Sequence, residues 1–506
     1  LSHFDTPYSS ITTPSFLLFL TAPPLFLSLR SYANPARIFK GLRAYYVPVP
    51  GSSGANPKAK KVTPKSSTTL GTASSSDIDL DGAENLYVSP MSSQDWKLSL
   101  YYDQIDFLSF LFLLTLSTSI ISSLLTHLQL LGGDGGQPTN LPLILALLTL
   151  ASAAHTLLKT DLLSANTAGE DKVYGAAFGI LCFLAALGIL DQLAPKGYFI
   201  WDVEHATTLV GPMMENAARP LLQAHRNRVS SPSPSSLIVE GGEESIEEAV
   251  AEAAAHVAAQ AAAFMHFVSP AAWVLRLLIA AISGCLGALL FSPSLRFVRG
   301  FWLHQNIPEW AADQLGTSVF YSIMLHAQMF LFPLNTAVGI KTLSTLYIGS
   351  NSNDELMRQK LAWIQACAAL ITGLVALANT RVLIQKYLDT GMLAWHHVKH
   401  GKQMISKKER GGAAGLIRIK FAIMDRLKGR AALQSLAPGL LMTVCGVALL
   451  SIAYQSSSLV VGGMGGGEGG ELVKEVVGFL SWWISGVVSF LYVVDVFLFR
   501  TGVLQN

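Results

Sequence analysis

Apolar runs of about 20 residues, the length a helix needs to cross a hydrocarbon core, dominate the pattern of this 506-residue chain. Eight are strong, near residues 107–130, 141–158, 173–190, 268–291, 317–340, 361–380, 433–454 and 476–498. A ninth, 15–29, is interrupted by Pro23 and Pro24 and reads equally as a span, a signal sequence or an interfacial segment. A lone strand in lipid would leave its backbone N–H and C=O groups unpaired, and the runs lack the alternation of a barrel, so they predict helices. The expected fold is all-α: a polytopic transmembrane helix bundle of about eight or nine spans with no sizeable soluble domain.

The polar segments divide the chain further. Residues 1–103 join the N-terminal apolar segment to a basic linker, in which 50–80, rich in Ser, Gly, Pro, Thr and Lys, reads as disordered. Three spans fill 104–190. The long segment 191–267 carries a Ser/Pro-rich stretch, 229–240, and an acidic, Ala-rich helix from Glu243 to Phe264 expected to end before Pro270. Three more spans occupy 268–380, a basic amphipathic segment 381–430, and the last two spans 431–506. The glycines between Gly462 and Gly470 read as a flexible loop.

Basic residues orient the bundle, because the cytoplasmic side retains them. With eight spans, Arg30–Lys97, Lys159–Lys172, Arg296–Arg299 and Arg381–Arg430 fall on one side and hold 25 Lys and Arg, against 8 in the alternate segments. That side, with the C-terminus, is expected to be cytoplasmic; 191–267 and the Gly-rich loop lie outside. Whether the membrane is the plasma membrane or an endomembrane stays open.

Composition agrees: 51% hydrophobic and only 13% charged residues define a membrane protein. A net charge of +2 gives no global field for nucleic acid. All four cysteines, Cys182, Cys285, Cys367 and Cys445, sit in apolar runs and read as packing residues. No Asn-x-Ser/Thr acceptor occurs. Residue 1 is Leu, so the sequence reads as a truncated or incompletely predicted gene product whose targeting signal is open.

Chemistry is sparse. Arg276 lies some eight residues inside its helix, roughly 12 Å deep, where it needs a partner, water or a snorkelling route. His326 and Gln328 on the next span and Gln365 on the following one could join it in a polar path. Asp495 is too far along its span to meet Arg276 and is expected to pair with Arg500 or water; His155 is expected at an interface. His396, His397 and His400 share a helical stretch with Lys399, Lys402, Lys407 and Lys408, whose charge opposes metal binding. With Arg381, Lys386 and Arg410, and apolar Leu383, Tyr387, Leu388, Met392 and Trp395 among them, these bases predict an amphipathic helix on anionic lipid or an acidic partner. No phosphate loop, H-E-x-x-H, G-x-S-x-G or Cys-x-x-Cys motif occurs, so neither enzyme activity nor a cofactor or metal is expected.

Several short motifs resemble those of the transmembrane protein 161 family. Gly287-Ala288-Leu289 through Phe291, Pro293, Leu295 and Arg296 resembles Gly-Ala-x-Leu-x-Phe-Pro-Gly-Leu-Arg, although Ser292 and Ser294 intervene and the Pro-Gly turn has become Pro-Ser. Arg381, Gln385, Tyr387 and Leu388 resemble an Arg-x-x-x-Gln-x-Tyr-Leu helix, and Leu433-Gln434 with Ala437-Pro438 resembles Leu-Gln-x-x-Ala-Pro. Trp482-Trp483 matches a Trp pair in the last span, and Gly169-Glu170 with Val173 resembles Gly-Glu-x-x-Val. The resemblance covers about 165–500 and departs at the insertion 240–264. It implies a multi-pass protein linked to ion or solute homeostasis and stress response, acting directly or through a partner channel. A scaffold binding anionic lipid or an acidic partner through 381–430 is the alternative; an intramembrane enzyme is a distant third. Membrane lipids, a partner channel or a second copy are the expected partners. Structurally, Gly287 and Ala288 should admit a close helix crossing, and Pro293 should end a span, leaving Phe297, Phe301, Trp302 and Trp310 at the headgroups.

Overall fold

The computed structural model describes residues 24, 27–28, 34–46, 60–62, 86–127, 141–163, 169–193, 198–201, 244–341, 354–400, 407–459 and 468–503. The apolar segment 15–29 lies almost wholly outside them, and 229–240 entirely so. The chain is mostly helical: α1 Pro35–Ile38, α2 Ser93–Lys97, α3 Tyr102–His127, α4 Leu141–Leu157, α5 Gly169–Gly188, α6 Glu244–Gln305, α7 Ala312–Leu315, α8 Val319–Val338, α9 Asp354–His400, α10 Lys407–Leu459 and α11 Glu468–Arg500. Five-residue π turns, Leu158–Leu162 and Ile189–Leu193, extend α4 and α5.

The expectation of helix alone needs one correction. A three-stranded antiparallel sheet forms from β1 (Arg43–Tyr46), β2 (Lys60–Val62) and β3 (Leu86–Pro90), in the order β1-β3-β2. The stretch 50–80 read as disordered thus contains a strand. Val62, Val88 and the tyrosines of β1 favour a pleated surface, but pairing across sequence is invisible to local periodicity.

Among the described residues, seven helices are long and apolar enough to cross a membrane: Tyr102–Leu124, Leu141–Leu162, Lys172–Asp191, Trp273–Gln305, Lys360–His396, Lys420–Ala453 and Glu471–Arg500. The run 317–340 also becomes a helix, α8, but His326, Gln328 and Asn335 make it less apolar than the seven. The helices are also longer than the runs that announced them. The Ala-rich acidic segment and the following span form one 62-residue helix that passes through both Pro270 and Pro293. Each proline removes a single backbone donor, and the adjoining turns carry the helix across. Pro293 therefore turns nothing; Phe297 and Phe301 are buried in the core, stacked near Tyr492, rather than anchored at headgroups.

The bundle is organised around α10, whose apolar stretch is 83% buried against 28% for that of α5 at the periphery. Helices α9 and α10 form a long antiparallel hairpin, and α10 also meets α3, α4, α6 and α11. Small residues bring backbones together. A side chain at Gly439 would strike Leu377 N at 2.8 Å and Gly373 O at 3.0 Å, and one at Gly446 would strike Leu370 N at 2.7 Å. On the other flank, Gly287 meets Cys182 and Gly179 meets Ala288, so α5 and α6 cross over Gly179, Gly284, Gly287 and Ala288. In lipid, where tails are as apolar as leucine, such close van der Waals packing holds helices together.

Helix α8 lies between α9 and α11 and runs antiparallel to both. Near its start, Lys386 of α9 donates to Leu315 O; further along, Asn379 donates to Met324 O and Gln328; near its end, Trp482 of α11 donates to Thr336 O and packs on Gly339.

Candidate functional site

One end of the bundle collects the described parts of all four basic segments. The N-terminal sheet docks on α9 there, Asp161 after α4 meets Arg430 of α10, and Arg296 of α6 stacks over the Tyr387 ring at 4.8 Å. This basic end holds the richest set of buried polar groups among the described residues.

Asp161 is 5% exposed. It accepts from Arg430 Nε at 3.2 Å and from Gln434 Nε2 at 2.7 Å. The π turn supplies its position: the chain leaves α4 with one widened turn, so Asp161 enters the bundle instead of pointing to the headgroups. Arg430 and Gln434 stand one turn apart on α10 and reach it together. A charge at this depth survives only when paired and hydrogen-bonded.

A second constellation centres on Asp389, 2% exposed. Its Oδ1 accepts from Tyr45 Oη at 2.9 Å and Gln385 Nε2 at 2.7 Å. Gln385 also accepts from Arg43 N at 2.8 Å and donates to Arg43 O at 3.4 Å. Its side-chain amide thus serves as an extra strand at the free edge of β1, a place where unpaired backbone groups invite aberrant pairing. Burial, then the neighbouring Asp389 carboxylate, pushes the Tyr45 hydroxyl well above the usual tyrosine range, so it stays a donor. Arg381 adds a bond from Nη2 to Lys40 O at 3.2 Å, and Trp96 Nε1 donates to Phe39 O at 3.0 Å.

Towards the middle of the bundle, Gln328 donates to Tyr492 Oη at 3.1 Å and accepts from Asn379 at 2.8 Å, and Asn335 donates to Ser485 at 2.6 Å. His326 holds Ser322 O through Nδ1 at 2.8 Å; its ring lies 6.4 Å from that of His304, which contacts Ser322 and Thr317. Gln365 sits near the opposite end and donates to Gly478 O at 3.1 Å. Arg276 faces Asp191 at 3.8 Å, with both side chains partly exposed. The four residues of the expected polar path are therefore not brought together. His326 and Gln328 share a level, Gln365 lies roughly 21 Å along α9 from the Asn379 that binds Gln328, and Arg276 belongs to the α5–α6 flank.

Of the expected lipid contacts, Lys386 needs correction: it is 1% exposed and donates to Leu315 O at 2.5 Å. Val382, Leu383, Ile384, Leu388, Asp389, Met392 and Trp395 are buried with it, because α9 continues straight from its apolar stretch into the hairpin with α10. The stretch 382–395 thus turns most of its side chains inward and is not a helix laid on lipid, while Arg381 stays exposed. The side chains of Lys399, Lys402, Lys407, Lys408 and Arg410, and of His397 and His400, lie outside the described residues. His396 stacks on Trp310 at 3.6 Å, and no group of three metal ligands occurs among the described residues.

The motif residues have assigned contacts as well. Arg296, Gln385, Tyr387 and Gln434 all lie in the basic-end constellations, Pro438 is inside α10 next to Gly439, and Trp483 donates to Ser283 O at 3.0 Å. Asp161, Asp389, Tyr45 and Arg430 escaped the sequence reading. Asp161 looked like a loop residue beside Lys159 and Arg430 like one more basic charge; a lone carboxylate at the rim of an apolar run is the signal that could have marked Asp161.

This arrangement defines a multi-pass membrane protein: a bundle of long apolar helices with its buried charges gathered at one end. No protein-family model matches the chain, and neither a curated protein nor a solved structure resembles it significantly.

Proposed function

We propose that the protein crosses the membrane eight times, with the N-terminal sheet and the C-terminus in the cytoplasm, and regulates ion or solute balance by acting on a partner membrane protein. The eighth span is α8. Its flanks reach from the level of Lys386 to that of Trp482, the same height as the apolar part of α9. Convergence of the four basic segments on one end supports the cytoplasmic assignment by the retention of Lys and Arg on that side.

The observation that carries regulation over conduction is the use of the polar side chains. Gln328, Asn379, Tyr492, Asn335, Ser485 and Gln365 bind one another or a neighbouring backbone. They lock helices together and do not line up as a route. The resemblance to the transmembrane protein 161 family points to the same homeostatic role without a catalytic step. The test is ion and small-solute flux in liposomes holding only the purified protein. Tight vesicles, with altered currents in cells that express the protein, are the expected pair of results. Flux that both Arg276→Leu and His326→Ala change would establish conduction instead.

A further inference from the structure

At the basic end, packing leaves an apolar groove of about 160 Å³ between α1, α3, α4, α9 and α10. Ile38, Leu108, Phe112, Leu157, Leu377 and Leu440 form its walls. Apart from Pro35, Ile38 and Phe39 of α1, the lining belongs to helices long and apolar enough to cross a membrane, so in a spanning bundle the groove opens within their crossing stretches beneath the α1 strap. Its volume is close to that of an apolar protein cavity that stays dry and admits benzene. It fits a segment of about six chain carbons on the same scale, and no whole lipid.

The lip is charged. Arg37 and Lys40, flanking the groove residues Ile38 and Phe39, and Arg381, beside the groove residue Thr380, are exposed. The bond from Arg381 to Lys40 O holds its guanidinium over the end of α1. Among the described residues beside the lining, Asp103 and Asp106 of α3, near the groove residue Ile105, are the acids, against three bases. An apolar slot within crossing stretches below a net positive lip is complementary to a lipid whose tail is apolar and whose headgroup is anionic.

We propose that this groove seats one acyl chain of an anionic phospholipid from the leaflet at the basic end, with its phosphate against Arg37, Lys40 and Arg381. The inference rests on the bundle spanning the membrane. Because α1 forms both lid and lip, lipid occupancy and docking of the N-terminal sheet on α9 are coupled: the filled groove holds α1 in place, and α1 in turn holds Lys40 O against Arg381.

The test begins with alkaline-carbonate extraction of membranes holding the full chain; release into the wash would sink the span reading itself. The retained protein is then purified in mild detergent, and bound lipid is read by native mass spectrometry after exposure to phosphatidylcholine micelles with or without phosphatidylserine. Wild type is expected to keep one phosphatidylserine in preference to phosphatidylcholine. Ala437→Phe, which projects a ring into the groove, is expected to lose that lipid, and Arg381→Gln to keep a lipid but lose the preference. Equal retention of both lipids by wild type, or undiminished retention by Ala437→Phe, overturns the proposal. Should Ala437→Phe fail to fold, a phosphatidylserine with a photoreactive tail group decides on the wild type. Crosslinks concentrated at Leu108 and Phe112 support the site, and equal yield at exposed Leu184 on α5 refutes it.

Discussion

Asp161 depends on two residues of another helix, and the cost of separating them is the sharpest residue-scale expectation. Arg430→Met takes the guanidinium from the Asp161 carboxylate and leaves Gln434 as its donor on α10, and breaking a buried pair from one side costs about 3–5 kcal/mol. Thermal unfolding in detergent should show a large loss for Arg430→Met and a smaller one for the Asp161→Asn, Arg430→Gln double variant, in which neutral groups can still bond. Equal stabilities would mean that water already solvates the site. Gln385 offers a second case, since it closes the edge of β1 and binds Asp389 at once. Truncation to Ala removes these bonds and leaves buried groups short of partners, at about 1–3 kcal/mol for each group stranded. The loss falls on docking of the sheet more than on the bundle. Limited proteolysis should therefore cut the N-terminal region faster in Gln385→Ala while the helices stay protected; an unchanged cleavage rate would deny Gln385 its clamping role.

At the scale of elements, the α9–α10 hairpin rests on glycines that face backbone. Side chains can rotate away from an intruding methyl, but Leu377 N and Gly373 O cannot. Gly439→Leu must separate the two helices, and because α10 also touches α3, α4, α6 and α11 the shift propagates through the bundle. Overpacking of this kind costs about 1–3 kcal/mol where neighbours can adjust and more where they cannot. A leucine at Gly188, where nothing lies within 4 Å, is the matched control. Folded yield and unfolding temperature should drop for Gly439→Leu and stay near wild type for Gly188→Leu; similar behaviour of the two would remove the crossing from the account of stability.

For the whole molecule, the distribution of charge sets orientation. Tyr198 belongs to the end opposite the basic segments, and Thr501 to the basic end beside Trp302 and Phe499. Single cysteines at these exposed positions, in a background lacking the four native ones, report topology directly. Tyr198→Cys should react with a membrane-impermeant maleimide on intact cells and Thr501→Cys only after permeabilisation. The opposite pattern would invert the bundle, and labelling of both from outside would remove one span, with α8 the first candidate because its polar residues make it the least apolar.

The sequence by itself determined the solvent and the secondary structure of most of this chain. Runs of about 20 apolar residues in lipid have one solution, since only a helix satisfies its own backbone there, and the unequal placement of Lys and Arg is a one-dimensional quantity that needs no contacts. Local pattern could not decide where helices end once they leave the apolar run: α6 continues through 297–303, α9 through 382–395 and α10 begins before 430–433, stretches that neighbours largely bury. Nor could it tell which polar residues meet. Arg276, His326, Gln328 and Gln365 looked equivalent by depth along separate helices, yet azimuth and neighbour choice sent Arg276 to Asp191 and Gln365 to Gly478. Lys386 read as one more surface base until packing against Leu315 and Gly300 buried it. Asp161 with Arg430, and Asp389 with Tyr45, are separated by 269 and 344 residues in sequence. Only the tertiary packing creates such pairs, because their energy exists when water is excluded from both partners at once.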